Sequence, residues 1–143
     1  MKTETRHSRI SALLVGDAMH WGVFTCDREA PLSEVAATMA AESIHCVVVE
    51  SGSGEGGPPW GIISDLDLIA AATVRDLDEQ TAGGSAATPV VTVAPGETLE
   101  RAAQLMTEHG TSHLIVVGRR QQLPMGVLST LDVAATLAKE TGS

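Results

Sequence analysis

Two serine–aspartate pairs carry the chemistry that can be read in this chain. Ser64 and Asp67 stand in Gly61-Ile62-Ile63-Ser64-Asp65-Leu66-Asp67. Ser129 and Asp132 stand in Gly126-Val127-Leu128-Ser129-Thr130-Leu131-Asp132, sixty-five positions later. Each segment reads as the end of a strand followed at once by the start of a helix. Such a junction aims free backbone N–H groups beyond the strand, where an anion is favoured. A serine hydroxyl there can bond a phosphate or ribose oxygen, and an aspartate can accept from two adjacent ribose hydroxyls. The same residues have a purely structural use. Serine is a preferred N-cap, and an acid three residues on can reach back to the cap and favour the helix dipole. Local sequence leaves both uses open.

The elements that must position these pairs are duplicated too. Leu32, Val35, Ala36 and Met39 find counterparts in Leu99, Ala102, Ala103 and Met106, sixty-seven positions on. Each set falls at i, i+3, i+4 and i+7, the apolar stripe of an amphipathic helix. Pro31 suits the first turn of one helix; Thr98 caps the other, and Gly110 suits the position past its end. Cys46–Val49 and Leu114–Val117 are continuous apolar runs, as in strands covered on both faces. Val23–Cys26, Trp60–Ile63, Val90–Val93 and Met125–Leu128 complete the strands. Asp65–Val74 and Thr130–Lys139 read as helices, and Ser11–Met19 as a short helical lead-in.

The expected organisation is a first repeat over 12–74, a linker over 75–89 and a second repeat over 90–138, its lead-in starting near 81. Residues 1–11 and 139–143 read as disordered tails, and the Gly- and Pro-rich Ser51–Pro59 as a flexible hairpin loop. Each repeat has the order strand, helix, strand, strand, helix. A fixed period of this kind reports supersecondary units that share a core, since a half of about sixty-five residues buries a poor fraction of its surface alone.

Composition removes several function classes. With one Phe, two Trp and no Tyr, the core must be aliphatic. Nine basic residues against 18 acidic give a formal charge of −9, the wrong balance for a phosphate backbone, so no nucleic-acid partner is expected. No apolar run reaches the length of a membrane span, and Met1–Arg9 has no apolar signal core, so a cytoplasmic protein is expected. Cys26 and Cys46 fall in strands and read as reduced, buried small hydrophobes. His20, His45, His109 and His113 lack zinc-type spacing with either cysteine. His45 and His113 precede strands at nearly matching places, which suits a cleft wall, and His109 suits a helix C-terminus. Trp60 reads as buried, Arg119 and Arg120 as solvated loop residues. No nucleophile–base pair with an orienting group is apparent, so no catalysis is expected.

In order and spacing, the paired GIISDLD and GVLSTLD segments, the L-x-x-h-A-x-x-M helices and the HCVVV and HLIVV strands resemble a tandem pair of cystathionine β-synthase (CBS) domains. The resemblance runs over about residues 12–138. It implies an α+β fold of two pseudo-symmetric β-α-β-β-α repeats packed sheet to sheet, with two clefts for adenosine-containing ligands such as AMP, ADP, ATP or S-adenosylmethionine. It also implies a homodimer that does no catalysis and passes a conformational signal to a regulated partner protein. In one cleft Ser64, Asp65 and Asp67 would face Val91, Thr111, Ser112 and His113. In the other Ser129, Thr130 and Asp132 would face Phe24, Ile44, His45 and Cys46. The chain departs from the family where polyphosphate-binding members often place Arg, having Leu66 and Leu131 there. Asp65 puts a negative charge where the second motif has Thr130, so the Ser129 cleft is expected to tolerate phosphate better. The alternative is a ligand-free dimerisation scaffold in which the Ser–Asp pairs are only helix caps.

Overall fold

The computed structural model describes residues 10–52, 58–119 and 123–142. Residues 1–9, most of the expected hairpin loop, Arg120 and Ser143 lie outside them. In chain order the elements are α1 (Val15–Ala18), β1 (His20–Trp21), β2 (Thr25–Cys26), α2 (Leu32–Glu42), β3 (Cys46–Glu50), β4 (Pro59–Ser64) and α3 (Asp65–Ala72). A 3-10 turn (Leu77–Glu79) and α4 (Ala82–Ser85) follow, then β5 (Thr92–Val93), α5 (Leu99–His109), β6 (His113–Val117), β7 (Pro124–Ser129) and α6 (Thr130–Gly142). Mixed helices and two small sheets make this the expected α+β fold.

Two sheets hold the repeated strands. In the first, β2 lies parallel to β3 and β3 antiparallel to β4, in the order β2-β3-β4. Cys46 faces Ser64 and Val47 faces Ile63. The second has the order β1-β7-β6-β5, with β5 parallel to β6 and β6 antiparallel to β7. There His113 faces Ser129 and Leu114 faces Leu128. In each repeat the helix α2 or α5 supplies the crossover that a parallel strand pair needs.

The core residues follow the repeat. Leu32, Val35, Met39, Val47, Val49, Ile63 and Leu68 form one buried cluster with Ala82. Leu99, Ala102, Met106, Leu114, Val116, Leu128 and Val133 form the other with Val15. Local chemistry sets the helix ends. The Thr98 hydroxyl accepts from the Arg101 N–H at 3.1 Å, while Gly110 closes α5 in the left-handed region at φ 61°. Ser43 closes α2 in the same way at φ 55°, its N–H donating to the Met39 carbonyl. A side chain there carries a strain that glycine avoids.

The compact units do not coincide with the sequence repeats. One gathers the described residues of Met1–Gly22, Val91–Arg120 and Pro124–Ser143; the other those of Val23–Val90 with Leu123. The N-terminal lead-in is thus built into the unit of the second motif. The Val15 N–H donates to the Glu97 carbonyl (2.8 Å) and the Leu99 N–H to the Leu13 carbonyl (2.8 Å). The segment before the second repeat does the same for the first. The Ala82 N–H donates to the Ala30 carbonyl (2.8 Å) and the Leu32 N–H to the Gln80 carbonyl (2.9 Å).

Several expectations are corrected here. The 75–89 stretch carries the 3-10 turn and α4, pinned by the Gln80 side chain to the carbonyls of Ala71 (2.9 Å) and Arg75 (3.0 Å). β1 has no counterpart in the sequence reading, and α6 continues three residues beyond Lys139. The strands expected to start at Val23 and Val90 each start two residues later, and α3 stops at Ala72. Cys26 and Cys46 are half-buried rather than buried, and neither is in a disulfide. Trp60 is also half-buried, with the Arg28 guanidinium 5.0 Å above its ring.

Candidate functional site

Both Ser–Asp pairs close as capping boxes. The Ser64 N–H donates to Asp67 Oδ2 at 2.9 Å, and the Asp67 N–H donates to Ser64 Oγ at 3.2 Å. The Ser129 N–H donates to Asp132 Oδ2 at 2.8 Å, and the Asp132 N–H to Ser129 Oγ at 3.1 Å. The structural use of these residues is therefore realised twice. It consumes one carboxylate oxygen of each aspartate and leaves the other to be accounted for.

The strand before each helix fixes where the turn sits. Beside Ser64, the Asp65 N–H donates to the His45 carbonyl (2.9 Å); beside Ser129, the Thr130 N–H donates to the Ser112 carbonyl (3.0 Å). His45 is thus the structural equivalent of Ser112, and Cys46 that of His113. The two histidines, expected at nearly matching places, are one position out of step. His45 Nδ1 and Asp65 Oδ2 lie 3.0 Å apart on the exposed rim of the first turn. In the second, Ser112 Oγ lies 3.0 Å from His113 Nδ1, and the Thr111 hydroxyl donates to the His113 carbonyl at 3.0 Å.

The remaining candidates are wall residues. Phe24, about two-fifths exposed at 41%, uses its carbonyl to accept from the Val48 N–H at 2.9 Å. The Val91 carbonyl accepts from the Ile115 N–H at 3.1 Å, while the Val91 side chain packs on its unit's core. Ile44 packs half-buried on the other. Within single units, then, Ser64, Asp65 and Asp67 come together with His45 and Cys46, and Ser129, Thr130 and Asp132 with Ser112 and His113.

Sequence reasoning missed one member of the second turn. His20, on β1, sets its Nε2 2.9 Å from Asp132 Oδ1. Asp132 is 9% exposed and is the one buried charged side chain among the described residues. The pairing exists because β1 lies against β7 with His20 opposite Val127. Only the strand register brings together residues so far apart in sequence, and nothing local to His20 signals it. The glycine heading each motif permits this approach. A Cβ on Gly126 would meet the His20 carbonyl and the Met19 methyl, and one on Gly61 would meet the Ala86 methyl at 2.9 Å.

Among the described residues no cluster of three or more His, Cys, Asp or Glu could hold a metal ion, and no helix is long and apolar enough to cross a membrane.

Comparison with known proteins gives a consistent picture. The family model for the CBS domain matches residues 15–73 and again 84–139. The hexameric CBS-CP12 protein from bloom-forming cyanobacteria is 21% identical, with 92% of this chain and 76% of that one covered, at a TM-score of 0.79. The CBS domain pair of protein MJ0100, solved in complex with 5-methylthioadenosine and S-adenosyl-L-methionine, is 20% identical over 90% of this chain and 98% of that one, at 0.78. The CBS domain of a membrane protein from Sphaerobacter thermophilus is 24% identical over 94% and 93%, at 0.73. No curated protein sequence matches the chain.

Proposed function

The chain belongs to the CBS domain family, and from that premise we propose that it is a non-catalytic regulatory module for an adenosine-containing ligand. AMP, ADP, ATP and S-adenosylmethionine are the ligand class, held at the Ser–Asp turns. On this reading the module works as a cytoplasmic homodimer and passes a conformational change to a partner protein. The observation that carries the reading is the unspent oxygen of Asp67. Its Oδ2 is committed to the cap, and among the described residues no hydrogen bond or ion pair is drawn to its Oδ1. A carboxylate held rigid by one oxygen, on a half-buried residue, is well placed to accept a ribose hydroxyl at the other. The ligands carried by the MJ0100 pair support the same class.

A panel of AMP, ADP, ATP, adenosine and S-adenosylmethionine in a thermal-shift assay tests this. A ligand at a hundred times its Kd stabilises by about 2.7 kcal/mol, a rise of roughly 5–11 °C at 2–4 °C per kcal/mol. The double variant Asp67→Ala/Asp132→Ala is expected to lose the rise. No shift with any ligand would refute the proposal.

The closed capping boxes favour a second reading, a ligand-free dimerisation scaffold in which the pairs serve only as caps. It expects each Asp→Ala change to cost about 1 kcal/mol, equally with and without nucleotide.

A further inference from the structure

The two turns differ at the one oxygen the proposed function needs. Oδ1 of Asp132 is met by His20 Nε2 at 2.9 Å, while its Oδ2 is fixed by the Ser129 N–H. With the side chain 9% exposed, little room is left beside the imidazole for a second donor. In the other unit Ala87 pairs with Ile62, as His20 pairs with Val127. Ile62 and Val127 are equivalents in the repeat, so Ala87 stands where His20 stands. A methyl group cannot donate, and Asp67 keeps its oxygen.

Resting on the adenosine-ligand reading, we propose that His20 is an internal competitor for the ribose-binding oxygen of Asp132. The two turns are therefore filled in order, the Asp67 turn first. A nucleoside hydroxyl reaching Asp132 must replace the imidazole N–H, donor for donor. The exchange is feasible because the His20 side chain is 82% exposed and can swing into water. Its backbone stays on β7, so filling the second turn releases the ring without unzipping the strand. His20 acts through Asp132 and is a positioning residue.

Isothermal titration of the full chain with adenosine, which brings no phosphate to Asp65, tests the order, and titration with AMP tests whether a nucleotide binds at all. Two unequal sites are expected, the tighter one lost in Asp67→Ala. His20→Ala should lower the Kd of the weaker site about fivefold, the upper end for a pair with one partner in solvent, and leave the tighter site unchanged. His20→Gln, which keeps a donor, should stay near the wild-type value. His20→Ala/Asp132→Ala should lose the weaker site. A weaker-site Kd unmoved by His20→Ala would overturn the proposal. So would Asp132→Ala weakening the first binding step as much as Asp67→Ala. These outcomes leave the proposed function standing, whereas binding by no variant to either probe overturns both.

Discussion

Gly126→Ala is the sharpest test of how the lead-in is held. A Cβ on Gly126 would collide with the backbone carbonyl oxygen of His20 and with Met19 Cε. The methionine methyl is the far end of a flexible chain and can swing aside. The carbonyl belongs to β1 and can move only with the strand. Retreat of β1 loosens its pairing at His20–Val127 and Trp21–Gly126 and the Gly22 N–H bond to the Met125 carbonyl (2.7 Å). Loss of two of these three contacts at about 1 kcal/mol each, with overpacking of about 1–3 kcal/mol, puts the cost near 3–5 kcal/mol. At 2–4 °C per kcal/mol that is a fall in Tm of roughly 6–20 °C. Gly61→Ala is the built-in control. Its Cβ would meet the Ala86 methyl at 2.9 Å and the Ala87 carbonyl at 3.2 Å, a milder conflict costing about 1–2 kcal/mol. Urea denaturation followed by circular dichroism measures both, and amide exchange at Trp21 and Gly22 reports whether β1 is the part that loosens. Equal costs for the two substitutions, or a Gly126→Ala cost below about 1 kcal/mol, would refute the reasoning.

Two further predictions follow from local geometry. Ser43→Gly, at the left-handed end of α2 where Gly110 serves α5, should raise stability by about 1 kcal/mol, read as a shift in the urea midpoint at constant slope; a neutral or negative shift would contradict the strain assigned to Ser43. The Cys26 thiol is pushed up from 9.0 to about 11, by burial first and then by Asp27, Glu50 and Glu34. Since the unfolded thiol ionises near 9.0 and the folded one near 11, the folded state is favoured fully below the lower value. That advantage is lost as pH rises through the upper one. At pH 8, Cys26 in a Cys46→Ser background should therefore alkylate about a hundredfold more slowly than an unhindered thiol. Alkylation at the free-thiol rate would show that the thiolate is not suppressed.

Much of this arrangement was legible because it depends on residues close in sequence. The capping boxes at Ser64–Asp67 and Ser129–Asp132 join residues only three positions apart, and the stripes of α2 and α5 need only helical period. The parts that escaped are set by distant partners. β1 is two residues long, and His20 and Trp21 have no alternating pattern to mark them. α4 contains Gly83 and Gly84, poor helix formers, and exists because Thr81 caps it and Ala82 is sealed in the core at 0% exposure. The His20–Asp132 contact is the sum of such effects: a strand unseen in the sequence delivers a side chain whose partner already had a local explanation. The histidines, expected at nearly matching places, are one position apart for a different reason. His45 and His113 are similar letters near similar strands, but the ladder equates His113 with Cys46.

The placement of the two lead-ins decides where the chain can be divided. Val15 and Met19 sit in the core that contains Val93 and Leu128, and Ala82 in the core that contains Leu32 and Ile63. A cut in the polar part of the 75–89 stretch, before Ala82, would strip α4 from the first core while leaving α1 on a fragment that has no use for it. Dissection that respects both cores falls at Gly22/Val23 and Val90/Val91. A circular permutant beginning at Val23, its old termini joined, would place the main segments of each core in one continuous stretch.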